Sequence, residues 1–597
     1  MSAAATTGVR YQRQPLLQHQ DQDSYQQLRP GRLRSVRRVA DEILVAAEEV
    51  QSAHSWLENT GLTIAWRAFA TASAGTIEHL VDVYLQVVYP IFPLFHRPTL
   101  LQKVRDQDYL RDQGCFASLM AACALASARE RDGALYCSIT NASYNANIPS
   151  ETFYKAARDM LPESLVEADG LDYMRACALL SITSIQYGDI EAMQLYLGHY
   201  FTLVSVHRLH DEANWPKDTN NVEVEERRRL YWSTYTLDIY SSIVWNGSVH
   251  ACGANARVRY PTEVEDEFIT HGATLLSPRS STSWLRGWNF TTDLYLALEH
   301  ASNRLRARQS RIDDRIDVAA VFGIPASSSA AVLATINARH SALPAEFKMF
   351  APPTGDRVRD IFGFQAANIQ ATMLLLRMLL FCTDDDGHSP SNVQLKCNIA
   401  AELLAIFQTI PTAYLCGIST PLIYHLAGIG MILASVMEGL LSEAGYQKVK
   451  SILLSIADLL ESFESGLSRA ADISKGLRSQ VERIDEYMRV QRLPADRPYV
   501  QPQPNHTSSV ETARMSLPLQ QHSTPSSTTG IQIAGGGDKE GHTQSTGVSA
   551  EGQFMNDGWL GEFQLPPELL EDWPWTFNLQ PETWSLLGTA TAGRDHW

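Results

Sequence analysis

The sequence predicts an all-α fold, a large multi-helix domain flanked by disordered segments. Three observations predict it. Apolar residues recur at helical spacing in long stretches through the middle of the chain. No stretch alternates apolar and polar residues over a useful length, so strand candidates are few. Residues 1–34 and 494–553 differ sharply in composition from the middle, being poor in residues that can be buried. No repeat of fixed period is present.

The chain has 597 residues, a formal net charge of −17 and eight cysteines. An acidic protein is a poor generic binder of nucleic acid, although a local basic arm can still contact phosphate. The cysteines form no Cys-x-x-Cys pair and are scattered through apolar segments, which reads as core thiols in a reducing compartment. The N-terminus carries no apolar signal segment, and no uncharged run has the length that crosses a membrane. The sequons at Asn141, Asn246, Asn289 and Asn505 therefore carry little meaning.

Taken in order, residues 1–34 form a polar, Gln-rich arm, disordered by composition. Arg29, Arg32, Arg34, Arg37 and Arg38 make a compact basic run. It serves nuclear import or phosphate contact, or is simply the solvated start of a helix. Residues 35–74 hold a basic, amphipathic helical segment, with Val36, Val39, Ile43, Leu44 and Val50 on one face, and then an Ala/Thr-rich join. The folded body spans 75–493. Its first helix, His79–Tyr89, is cut by Pro90 and Pro93, whose turn should plug Phe92, Leu94 and Phe95 into the core. Thr99 is placed to cap a short next helix.

Further helices are expected at Cys115–Ala128, Ser150–Met160 with Ser150 as N-cap, Leu171–Tyr187 and Ala192–Arg208. The last two make an antiparallel hairpin about Gly188–Asp189. Others follow at Trp284–Arg311, Ser328–Arg339, Ile361–Phe381, Asn392–Gln408, Leu422–Leu441 and Gly445–Arg489, the last breaking near Gly466. Residues 494–553 are a disordered Pro/Gln/Ser/Thr/Gly linker. Residues 554–597 are an acidic-aromatic tail, with Trp559, Trp573, Trp575, Phe577 and Trp584 set among carboxylates. This is the composition of an activation segment. A tail that folds back into a groove of the body is the other reading, and both can hold in different states.

The body is organised around Glu226–Asp238. Trp232, Tyr235 and Ile239 stack on one side of a helix, with Leu230 and Leu237 beside them, so the helix packs against several others. Asp238 then sits among apolar residues and needs a donor, as a scaffold ion pair or cap. Arg227, Arg228 and Arg229 cannot share one direction on a helix and form a collar with one or two buried pairs. His96 and Arg97 bond neighbouring carbonyls or carboxylates, or act as ligands in a cleft. The acids at 263–267 read as solvated surface charge.

Enzyme signatures are absent: no Gly-x-Ser-x-Gly, no His-Glu-x-x-His and no phosphate-binding glycine loop. His207 and His210 lack a third metal donor nearby, and Asp384–Asp386 lack the spaced oxygens of a calcium loop.

Several blocks carry a resemblance. Tyr84–Thr99, ending His96-Arg97-Pro98, is one. Met174–His210, with Gln186-Tyr187-Gly188 and Gly198, is the next. Arg228, Arg229, Trp232, Tyr235 and Asp238 form the most diagnostic block, and the acidic Pro261–Phe268 segment follows. In this order they resemble the fungal-specific transcription factor domain, the middle homology region of zinc binuclear cluster regulators, over about residues 75–490. Ile239 and Asn246-Gly247-Ser248 depart from the family's pattern. The resemblance implies an all-α regulatory domain and a nuclear protein. Homodimers or heterodimers with a related regulator are implied too, with a small-molecule effector as a possible partner. It also implies zinc, but the six-cysteine cluster has no counterpart here, since the first cysteine is Cys115. No cofactor, metal or catalytic residue is expected in this chain, and no membrane.

The function expected is transcriptional regulation through the helical domain and the tail, which meets the transcription machinery. DNA contact would be indirect or non-specific. The alternatives are an interaction-only inhibitor or co-regulator that pairs with a related factor, and a small-molecule enzyme on an all-α scaffold.

Overall fold

The computed structural model describes residues 62–135, 147–245, 248–272, 282–309, 328–384, 392–418, 441–463 and 468–491, with isolated positions between 423 and 437 and Leu565–Pro566. These residues fall into two units, one running to Ile484 and including Leu565–Pro566, the other holding Asp485–Gln491. The architecture is all-α. The described residues form no strand; isolated bridge residues occur at Asp211 and Arg257, which pair with each other, and at Ile269 and Leu441.

The helices are α1 Ile64–Ala72, α2 Ala74–Val83, α3 Arg97–Arg105, α4 Gln113–Arg131, α5 Ser150–Asp159, α6 Leu171–Tyr187, α7 Ile190–Val206 and α8 Asn221–Val244. They continue as α9 Leu285–Gln309, α10 Ser329–Ala342, α11 Arg357–Asp384, α12 Asn392–Thr409, α13 Thr412–Ile418, α14 Glu443–Glu461 and α15 Ser468–Gln491. The join before residue 75 is thus itself helical. It opens with Thr63 accepting from the Trp66 N–H at 3.3 Å, which satisfies one orphan donor of the first turn.

α4 is the hub. Gly114–Leu125 is buried without interruption, because Ala, Cys and Ser leave room for neighbours on every side. α5 and α6 pack against it, α7 packs on α6, and α9 packs along α11. The hairpin α6–α7 turns at Gly188, whose φ of 73° lies in the left-handed region that glycine adopts without strain. Asp189 then caps α7, accepting from Ala192 at 2.9 Å.

α11 is long and apolar enough to cross a membrane by composition, yet 72% of its apolar window is buried inside the protein. Arg377 interrupts it and pairs with Glu402 at 2.8 Å. α13 was not expected from the sequence, being too short to show a period. Gly363 lets α11 approach it, since a Cβ there would lie 2.4 Å from the Tyr414 hydroxyl oxygen.

Three local expectations change. Ser150 is the first residue of α5 rather than its cap. Pro149 holds the cap position, and the Ser150 hydroxyl accepts from Tyr187 at 2.9 Å. His96, not Thr99, occupies the cap of α3, with Thr99 Oγ1 2.8 Å from His96 Nδ1. Phe92 is only half-buried, whereas Leu94 and Phe95 enter the core.

The helix before Pro90 ends in a wide π-turn, Tyr84–Val88. The proline turn leaves carbonyls that no helical N–H reaches. Side chains satisfy them, two from distant helices: Gln365 reaches Pro90 O at 2.5 Å and Trp288 reaches Ile91 O at 2.8 Å, while Tyr84 from the π-turn itself reaches Phe92 O at 2.8 Å.

Candidate functional site

The four sequence blocks converge on one buried ionic network. α8 begins with Asn220 as cap, accepting from Glu223 at 3.0 Å. Its arginines then fan out as the helical rotation requires. Arg227 bonds Glu223 at 2.6 Å on the helix flank. Arg228 bridges Glu212 and Glu225, each at 2.8 Å. Arg229 turns inward and is fully buried, with Nη1 2.6 Å from Asp266 Oδ1.

Asp266 is the network's centre. Its carboxylate also accepts from the Tyr89 hydroxyl at 2.5 Å and the Arg97 N–H at 2.7 Å. Burial alone would raise its pKa, but the Arg229 charge outweighs that and the carboxyl is held below its usual range. Burial and then the Asp266 charge push the Tyr89 phenol well up. The sequence reading of 263–267 as solvated acids is therefore wrong for Asp266, which is buried. A run of acids gives no sign of which one turns inward.

His96 ties the same point to α8. Its N–H donates to Glu226 at 2.7 Å, and its Nε2 lies 2.8 Å from Asp266 O. Arg97 extends outward to Glu267 at 3.4 Å, and Pro98 lies in the first turn of α3, where a missing N–H costs nothing.

A second arginine, Arg175 of α6, completes the set. It bonds Asp172 at 2.5 Å and Leu94 O at 2.8 Å, and lies over the Phe95 ring. Its Nη2 approaches Glu226 Oε2 at 2.7 Å, an ion contact too bent to count as a hydrogen bond. Arg175 was missed, though an arginine alone in an apolar helix is a readable sign that it is paired.

Farther along α8 the side chains lock the chain that follows. Trp232 donates to Arg259 O at 3.0 Å and Tyr235 to Glu299 at 2.6 Å. Asp238 is wholly buried and accepts from the N–H groups of His250 and Ala251 at 2.8 and 2.9 Å. His250 Nδ1 lies 2.8 Å from its other oxygen, and the ring stacks on Phe201.

Among the described cysteines, Cys115, Cys123, Cys177 and Cys397 are buried thiols, while Cys252 is exposed. No cluster of metal-ligating side chains occurs among the described residues. His207 Nε2 lies 3.0 Å from Ala168 O. The basic run Arg29, Arg32, Arg34, Arg37 and Arg38, and the tail residues Trp559, Trp573, Trp575, Phe577 and Trp584, lie outside the described residues.

Chemically, the network is a clamp. Every ionisable group named in it faces an opposite charge, a phenol or a backbone group. It holds the proline turn, α3, α6, α8 and the segment around Asp266 in one arrangement.

Residues 81–286 match the model of the fungal specific transcription factor domain, a span that begins in α2 and ends at the start of α9. The ascochitine biosynthesis cluster transcriptional regulator of Didymella fabae is 25% identical over 169 residues, 27% of each chain. The alignment thus spans about a quarter of that relative's length. No solved structure matches. The clamp, from Tyr89 to Asp266, lies wholly within the matched span, and over residues 81–286 the chain carries a fungal specific transcription factor domain.

Proposed function

We propose that the chain is a transcriptional regulator of fungal gene expression, acting in the nucleus through its helical domain and its acidic-aromatic tail. The observation that carries this reading is the domain match over residues 81–286. The role that the Didymella fabae relative is named for supports it. So does the clamp, which spends its buried charges on holding helices rather than presenting an open catalytic group. In this reading no residue is catalytic.

The tail, residues 554–597, engages the transcription machinery with aromatics that mutual acidic repulsion keeps accessible. The helical body pairs with a second copy or with a related regulator. Arg29–Arg38 meet phosphate or an import receptor. Phosphate contacts position a protein without reading sequence, so DNA is met through the partner or without sequence preference.

The test is a reporter driven by residues 554–597 fused to a heterologous DNA-binding module, alongside transcript profiling of a strain lacking the gene. The expected result is reporter activation and a defined set of altered transcripts. A silent fusion together with an unchanged transcript profile would sink the proposal.

A further inference from the structure

A cavity of about 70 Å³, with an open mouth, lies between α4, α6, α8, α9, α11, the end of α13 and the proline turn. Clefts between packed helices are where small organic ligands bind. Its walls are mostly apolar, with Ile91, Ile182, Leu237 and Trp288 among them.

Apart from Tyr240, which is engaged elsewhere, the polar groups on the walls divide into two kinds. Thr236, Thr291, Thr292 and Thr372 each donate to a carbonyl of their own helix, and Trp288 donates to Ile91 O. Three others are different. Arg129 is 2% exposed and lines the cavity. Its Nη1 donates to Gly417 O and Ile418 O at 2.6 and 3.0 Å, at the end of α13. Its Nε is buried with no hydrogen-bond partner, and no carboxylate pairs with it among the described residues. The carboxylate whose field reaches it, Asp132, is engaged by Arg131 and Gln186. Burial lowers the Arg129 pKa to about 10, which leaves the guanidinium charged at neutral pH. The Tyr295 hydroxyl and the Asn368 side-chain amide also line the cavity, and neither hydrogen-bonds to any described residue.

A buried cation without a close carboxylate is costly. The arrangement is stabilised when something anionic enters. Among the described residues Arg129 is the one charged group on the cavity wall, so one negative charge is matched and a cationic ligand is repelled. We propose that this cavity binds a small amphipathic carboxylate, its head group on Arg129 with Tyr295 and Asn368 as further partners, its apolar body against Leu237 and Trp288. The proposal rests on the regulatory reading only for the consequence of binding. Binding itself is measured without a promoter, so the two can fail separately.

The test is calorimetry on the full chain with octanoate, phenylacetate and 1-naphthoate, each beside its neutral amide. At least one acid should bind saturably, about tenfold more tightly than its amide, because hydrogen bonds to a charged group exceed neutral ones. Arg129 also holds the end of α13, so Arg129→Ala risks unfolding the protein. Tyr295→Phe with Asn368→Leu removes no bond to a described residue. This variant should keep the thermal midpoint and weaken the acid severalfold. No saturable binding by any of the three acids, equal binding of acid and amide, or an acid affinity untouched by the double variant would each overturn the proposal.

Discussion

Asp266 Oδ1 lies 2.6 Å from Arg229 Nη1 at a point where both side chains are almost wholly removed from solvent. The pair joins the middle of α8 to a short 3-10 turn 37 residues later (266 minus 229). A carboxylate and a guanidinium buried together are tolerated only while each has the other.

Removing one partner should therefore cost more than removing both. Asp266→Asn leaves Arg229 charged and unpaired, and is expected to destabilise the domain by roughly 3–5 kcal/mol. The double change Asp266→Leu with Arg229→Met should fall well short of the sum of the singles. Urea unfolding of the four species gives the coupling, and additive losses would contradict the clamp.

Trp232 is 4% exposed and meets Tyr231, Tyr235 and Tyr260 edge-on. Trp232→Ala should cost roughly 3–5 kcal/mol through the cavity it leaves. Trp232→Phe should cost less, losing the bond to Arg259 O but keeping a ring. A thermal melt of Trp232→Ala indistinguishable from wild type would show that the placement is wrong.

His250 and Asp266 should respond to pH in opposite directions. The hydrogen bond its ring makes to the Asp238 carboxylate raises the His250 pKa above 6.5. The stabilisation it brings is complete below that value and is lost as pH rises through the folded pKa. The gap in unfolding midpoint between wild type and His250→Gln should shrink as pH rises above 6.5. Asp266, Asp172 and Glu212 are held below their ordinary values. Their contribution is present above the unfolded carboxylate range, and fades as pH falls through the folded pKa. Asp266→Asn should accordingly lose its deficit against wild type in strong acid. A gap that grows with pH for His250→Gln, or a constant deficit for Asp266→Asn, would refute these signs.

In the tail, Trp573→Ala with Trp575→Ala should lower reporter activation severalfold, while Asp572→Asn alone should do less. Aromatic contacts anchor such segments, and the acids keep them in reach of a partner. Unchanged activation by the double tryptophan variant would remove the tail's assigned role.

How much of this was legible in the sequence differs by scale. Helices such as Leu171–Tyr187 were readable to the residue, because an apolar period with Gly at its end fixes the local backbone. The fan of Arg227, Arg228 and Arg229 followed from the helical rotation alone. That Asp238 needs donors followed from its apolar neighbours. The donors themselves, His250 and Ala251, did not.

What only the tertiary structure decided is which distant groups share a buried point. Asp266 was one of several neighbouring acids, and nothing local separates it from Glu265 or Glu267. Its identity as the centre of the clamp depends on Arg229, Tyr89 and Arg97 arriving from other elements. Arg129 is the same case, one of two arginines in the last turn of an alanine-rich helix, whose unmatched charge becomes visible only when other helices close around it. Periodicity and capping act over a few residues and are written in order along the chain. Desolvation and charge pairing act through space, and their partners are fixed only by packing.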